Sequence, residues 1–431
     1  MNKERGSVVI IVSFCIVLFI TILAFIVNVG YLSATKNIYE NAAEAAAMAG
    51  AARLCDGDAI DVAKQIAEEN GAPQGSVTVT LGFYDEENEK FYPEGSGDYP
   101  EDEYNNAVLV SIQSTENTIL GSFLGKEQTQ VRAEAVAYAI PYGLLSLGTD
   151  SGQGIYTDMQ WDDEHPPELQ DMGIIYANNE IDFTKPPKLT GVNMVRAINS
   201  ISNCPEGKLV TEEVHIPPID WDKLREQAQE NGKIITVDDF PSNEHYYDPD
   251  DPSTYREDSF GNRYVHDPRG YKLLLKGGDY GGRTYYISTE NGNFGIHNEI
   301  YVQGQGETYA TNLTIASEPN FLFERPMGGY LHLGGKSRED IVRIYCKENI
   351  GSPYVGFAQK MEGVIFYTEK DFRYRCSTSH PSPGDEDIQY MRVIAGGSIR
   401  LRGYYYAVGL TINGHFGPPC KPCVIRLGRL H

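Results

Sequence analysis

Three groups of side chains in this 431-residue chain have types and spacing that could support chemistry. The first is the acidic run DPDDPSTYREDSFGN at 248–262. Asp248, Asp250 and Asp251 offer hard oxygen ligands of the kind calcium takes, about six to eight at once. The run lacks the acid alternation and central glycine of a calcium loop, and its prolines mark an exposed turn. A plain surface insertion is the preferred reading, with calcium on these three residues as the alternative. The second group is Cys420 and Cys423, in PPCKPC. One CxxC supplies half of a four-ligand zinc site. Flanking prolines and a terminal position do not suit a redox pair, which opens a helix. A local disulfide clamping the C-terminal end is preferred, with two reduced thiols as the alternative. The third group is His245, His266, His297, His332, His380 and His415. They are scattered, without the paired spacing of a metalloprotease helix. The glycine-rich GGDYGGRTYY at 277–286 lacks the Lys-Ser/Thr and following helix of a phosphate loop. No catalytic set, cofactor site or cofactor is read from these residues. The tyrosines of RGYYYAVG could stack on surface glycans, although alternate residues of a strand divide between core and outer face.

The charge balance narrows the partners. A net charge of −24 and pI near 4.8 exclude nucleic acid, whose phosphates need clustered Lys and Arg. Forty-four glycines and 29 tyrosines beside two tryptophans favour β-structure. Cys15 lies in an apolar stretch. Cys55, Cys204, Cys346, Cys376, Cys420 and Cys423 lie outside it, and their even number permits disulfides in an oxidising compartment.

That apolar stretch is the first element. Val8–Val29 carries no charge, and its 22 residues span about 33 Å as a helix, enough for a hydrocarbon core. Lys3 and Arg5 before it place the N-terminus in the cytoplasm. A cleaved signal peptide is the rival, but its core is shorter and ends at a small-residue site. Here the helical pattern runs on through Asn28 and Val29 into an alanine-rich segment that includes Ala42, Ala46 and Ala49. Small residues let another backbone approach closely, in another copy or another subunit; a solvated stalk is the bland alternative.

RGSVVIIVSFCIVLF followed by VNVGYLSATKNIYENAAEAAAMAGAARL resembles the N-terminus of TadG-like proteins of Tad-type Flp pilus assembly. Asn28 stands where that pattern usually has Asp. The resemblance continues through VTVTLGFYDEENEKFYP and NAVLVSIQSTENTILGSFLG to VRAEAVAYA, about residues 5–140. Ile11 occupies the position where a pilin cut after Gly6 would carry its assembly Glu, so the resemblance implies an anchored accessory protein rather than a major pilin. It also implies the bilayer and other pilus-assembly subunits as partners.

The predicted organisation has three parts. Residues 1–55 form the anchor and Ala-rich helix. Residues 56–142 form a small α+β module: a helix at 56–72, strands SVTVTLGFY, NAVLVSIQS and QVRAEAVAYAI, and a short helix TILGSFLG. Residues 143–431 are mainly β, with one helix in PPIDWDKLREQAQENG at 217–232. Strand, polar corner, strand recurs in LTIASEPNFLF, GVIFYTEKDFRY and VIAGGSIRLRG. This predicts a β-solenoid, with Ile315, Ile365 and Ile394 as equivalent inward residues and Glu318 as a solvated corner. The resemblance here is to right-handed β-helix domains behind PilX-like N-termini. A β-sandwich adhesin is the structural alternative. The functional reading is a non-enzymatic, single-pass surface protein with a periplasmic or extracellular ectodomain. A filament-forming subunit and a β-helix enzyme acting on polysaccharide are the alternatives.

Overall fold

The computed structural model describes residues 3–54, 57–86, 88–100, 105–118, 127–159, 168–184, 186–305, 309–323, 332–335, 340–351, 360–376, 388–403, 411–413 and 423–429. Two compact units result. The first comprises Met1–Ile140 and Pro418–His431, and the second Pro141–Gly417.

In the first unit, α1 (Lys3–Ala51) is one continuous helix. No proline interrupts it, and its later half is rich in alanine, the best helix former. α2 (Ala59–Glu69) buries Ala59, Ala63 and Ala67 on one face. It ends where Gly71 adopts a φ of +101°, a conformation that costs glycine little. Four strands follow: β1 (Val77–Asp85), β2 (Lys90–Pro93), β3 (Ala107–Asn117) and the long β4 (Gln128–Ser146). All pair antiparallel as β2-β1-β3-β4. On β4, Val131, Ala133, Ala135, Ala137 and Ala139 turn inward and meet Ala42, Ala43, Ala46 and Ala47 of α1. Small residues on both sides allow helix and sheet to approach closely. The segment 90–93, read from sequence as loop, is the partner of β1. The expected short helix TILGSFLG falls mostly on 119–126, outside the described residues.

The second unit is mainly β. Its first arm contains β5 (Gly154–Met159), β6 (Glu168–Ala177), β7 (Glu180–Phe183), β8 (Lys188–Ala197), β9 (Ser200–Ser202) and β10 (Lys208–Leu209). Then come α3 (Trp221–Glu230) and β11 (Gly232–Ile235). The second arm holds β12 (Arg256–Glu257), β13 (Arg263–Asp267), β14 (Gly270–Leu275), β15 (Gly278–Ile287), β16 (Glu299–Gly304), β17 (Ala310–Ser317) and β18 (Asn320–Phe323). It continues through β19 (His332–Gly334), β20 (Val342–Cys346), β21 (Ile350–Gly351), β22 (Lys360–Thr368), β23 (Phe372–Cys376), β24 (Ile388–Ala395), β25 (Ile399–Gly403) and β26 (Thr411–Asn413). The last strand, β27 (Cys423–Gly428), pairs with β4 in the first unit.

These strands build two sheets, and the chain passes from one to the other. Among the described strands β5 to β26, pairing is parallel apart from the β12-β13-β14 end. Register keeps like residues above one another. One inward row runs Ile300, Phe321, Ile350, Phe372, Ile399, Ile155, Ile181, Ile201. The facing sheet answers with Tyr285, Ile315, Ile344, Phe366, Val393, Leu144, Ile175, Val195. Ile315 is inward as predicted, but its equivalents are Phe366 and Val393. Ile365 pairs with Arg343 and Arg392, and Ile394 with Tyr367 and Leu145, so both lie on the other face. A one-residue slip inverts the side, because strand side chains alternate.

Successive strands are joined at a tight corner, two or three residues long in most coils. Asn199 donates Nδ2–H to Asn179 Oδ1 at 2.6 Å, and Asn349 does the same to Asn320 Oδ1 at 3.0 Å. The Asp371 N–H donates to Asn349 Oδ1, and the Ser398 N–H to Asp371 Oδ1. The GG of VIAGGSIRL sits in this corner, where a β-carbon at Gly396 would collide with the Glu369 carbonyl oxygen.

Chain order and stacking order differ. The chain enters through β4, which pairs with both β24 and β6, so the entry point lies inside the stack. β6 to β10 grow away on one side; β11 begins the far end, and β15 to β24 return. Residues 211–231 connect the two outer ends along one sheet. The Tyr176 hydroxyl donates to the Glu212 carbonyl, and Asn178 exchanges hydrogen bonds with Val214. Further along, Leu224 and Ala228 of α3 pack on Tyr286 and Ala316.

Candidate functional site

The predicted assembly helix is half lipid-like and half core. Val12–Val29 exposes nearly every large side chain, and its most apolar window has a mean hydropathy of 2.8. Val8 lies within α1, and Val29 is half exposed. Ala42 and Ala46 are fully buried, while Ala49 is half-buried. Their neighbours are α2 and β4 of the same chain. The alanine face is therefore neither a bare stalk nor free for a second copy. Glu40, on the exposed side, pairs with Lys36 at 3.2 Å. The Tyr39 hydroxyl reaches the Glu116 carboxylate on β3. Asn28, a polar residue inside the uncharged span, is only 4% exposed.

The acidic run gathers no ligand set. Asp248 Oδ1 accepts the Asp250 N–H, and Asp251 Oδ1 accepts the Ser253 N–H, both at 2.9 Å. These bonds hold a turn. Among the described residues no three His, Cys, Asp or Glu side chains are placed to hold a metal. A cavity of about 260 Å³ beside the run is lined by Pro241, Asn243, His245, Ser253, Tyr255 and Arg256, with no carboxylate in its wall. Cys420 lies outside the described residues, and Cys423 opens β27. Cys346 is fully buried, its Sγ donating to the Pro319 carbonyl at 3.3 Å, and burial pushes the thiol up to about 12. It is an inert core thiol.

Two features escaped the sequence reading. Glu318 is no solvated corner. Its carboxylate accepts the Tyr286 hydroxyl at 2.8 Å, the Thr289 N–H at 2.8 Å and the Lys347 ammonium at 2.8 Å. Burial would raise its pKa, but Lys347 and these donors outweigh it and hold the group at about 2. The second feature is the connector. Trp221 donates Nε1–H to Glu369 at 2.6 Å, its ring lies beneath the Lys347 ammonium, and Arg225 pairs with Glu290. The helix at 217–232 was visible in sequence; its docking across several strands was not, because its partners lie far along the chain.

Residues 6–53 match the TadE/G-like Flp pilus-assembly family model, and residues 49–137 match the Tad-like Flp pilus-assembly model. Together they cover the anchor, α2 and the sheet through most of β4's first half. No curated protein and no solved structure matches the chain. The two matches support a pilus-assembly-related protein of the cell envelope, and the apolar half of α1 supports a membrane anchor.

Proposed function

We propose that this chain is a non-enzymatic, membrane-anchored accessory protein of a Tad/Flp-type pilus system that displays an acidic β-solenoid for attachment or assembly. The observation that carries this reading is α1. One unbroken helix serves as the apolar span and, a few turns later, as the core of a module matching pilus-assembly families. On this reading the second unit is a right-handed β-helix. Parallel strands alternating between two sheets, with rows of like residues in register, support it. Burial of Ala42 and Ala46 within the chain speaks against filament growth through that face.

The test is fractionation of the native protein. It is expected to stay in the membrane fraction after carbonate washing, and external protease is expected to remove the second unit. Recovery of a soluble form lacking residues 1–30 would overturn the anchor.

A further inference from the structure

The second unit carries a small polar cavity to which the reading above gives no role. It has a volume of about 260 Å³ and is walled by two segments, 241–245 and 253–256, the latter running into β12. Ser242, Asn243, His245, Ser253, Tyr255 and Arg256 supply the wall, and only Pro241 among the lining residues has no polar side chain. The wall therefore offers hydroxyls, a carboxamide, an imidazole and a guanidinium. Among the described residues no carboxylate lines it.

Both walls are fixed by the chain's own bonds. The His245 N–H donates to the His266 carbonyl at 2.9 Å, which ties the first segment to β13. The buried Thr254 closes the turn between the two segments. Its hydroxyl oxygen accepts the Asp248 N–H at 3.1 Å and lies 2.8 Å from the Asp251 carbonyl. Arg256 donates from Nη1 to the Asp238 carbonyl, which holds the guanidinium at the wall. The Arg263 guanidinium lies over the Tyr255 ring at 4.2 Å and donates to the Tyr247 hydroxyl at 2.6 Å. A site held in this way before a ligand arrives loses little freedom on binding.

Size and chemistry select the ligand. Cavities for drug-sized molecules begin at about 300 Å³, so this one suits a single small ring. An apolar molecule would leave the wall's donors and acceptors unpaired. A polyanion is disfavoured, because Glu244, Asp248, Asp250 and Asp251 are exposed along the same stretch of a chain of net charge −24. A neutral ring bearing several hydroxyls meets both conditions, since each hydroxyl donates and accepts. Tyr246, next in the chain to His245, is 68% exposed and adds an aromatic surface with a polar tip. We propose that this cavity binds one neutral hexose unit of a glycan, with Asn243 and Arg256 hydrogen-bonding its hydroxyls. The proposal deepens the attachment reading by naming the chemistry attached to. Sugar binding is measured apart from the membrane anchor, so either can fail alone.

The experiment uses the full chain in micelles of a detergent without a sugar headgroup. Glucose, galactose, mannose and N-acetylglucosamine are each added at millimolar concentration, and saturation-transfer NMR is expected to show at least one of them bound. Arg256→Ala is expected to weaken that binding by about tenfold or more, and Asn243→Ala by about threefold. Both residues are exposed, so circular dichroism and melting of the two variants are expected to match the native protein. Asp250→Ala, outside the wall, is expected to leave binding unchanged. Absence of transfer from all four sugars would overturn the proposal, as would equal binding by the folded Arg256→Ala and Asn243→Ala variants. Tighter binding of glucuronate or inorganic phosphate than of any neutral sugar would overturn it by making the cavity an anion site.

Discussion

Single side chains decide how the second unit holds together. Ile315 sits in an inward row between Tyr285 and Ile344 and is fully buried. Ile315→Asp leaves an unpaired charge there and is expected to cost several kcal/mol, about 2–7 for an uncompensated polar group, measured by denaturant melts of the ectodomain. Glu318 makes the opposite point. Read from sequence as a corner, it is a hub for Tyr286, Thr289 and Lys347, so Glu318→Lys is expected to destabilise rather than to be neutral. Its folded pKa, about 2, lies below the ordinary 4.5. The stabilisation it provides is therefore complete above about pH 4.5 and is lost as pH falls toward 2. Acid titration of stability should show this loss in the native protein, and Glu318→Gln should flatten that part of the curve.

At the scale of elements, the connector is the informative piece. α3 buries only Leu224 and Ala228 of its own residues, yet these lie over Tyr286 and Ala316 from different strands. Leu224→Asp is expected to release the helix without unfolding the inward rows. Hydrogen exchange should rise in 211–231 while β17 and β20 stay protected; uniform loss of protection would mean the connector is part of the global core. Much at this scale was legible in the sequence. The anchor, α2, α3 and strands β1, β3 and β4 follow from hydrophobic period and turn residues. Equivalence between strands was not. VIAGG and VIFYT look alike, but in-register pairing aligns Val393 with Phe366 and not with Val364. Local composition cannot report a register set by neighbours some thirty residues away.

For the whole molecule, the decisive fact is where the second unit joins the first. The chain leaves the first unit at the end of its β4 portion and re-enters it at β27, which lies along β4 with Gly428 against Val136 and Arg426 beside Tyr138. The sequence reading placed 418–431 in the ectodomain; the structure returns it to the module, because Cys423 and Ile425 pack on the alanine core. The mainly β unit is thus an insertion. Replacing residues 147–417 by a short flexible linker is expected to leave a folded, membrane-bound module with β27 in place, judged by circular dichroism and protease resistance. Loss of the module's helices would show that the insertion is needed for its stability. The same connectivity has a mechanical consequence. Tension reaching the inserted unit enters at β4 and leaves at β26, both in the interior of the strand order, while the two outermost ends are tied to each other through α3. Among the described strands neither connection to the first unit lies at an outer end, so under load this body should resist unravelling until interior strands shear together.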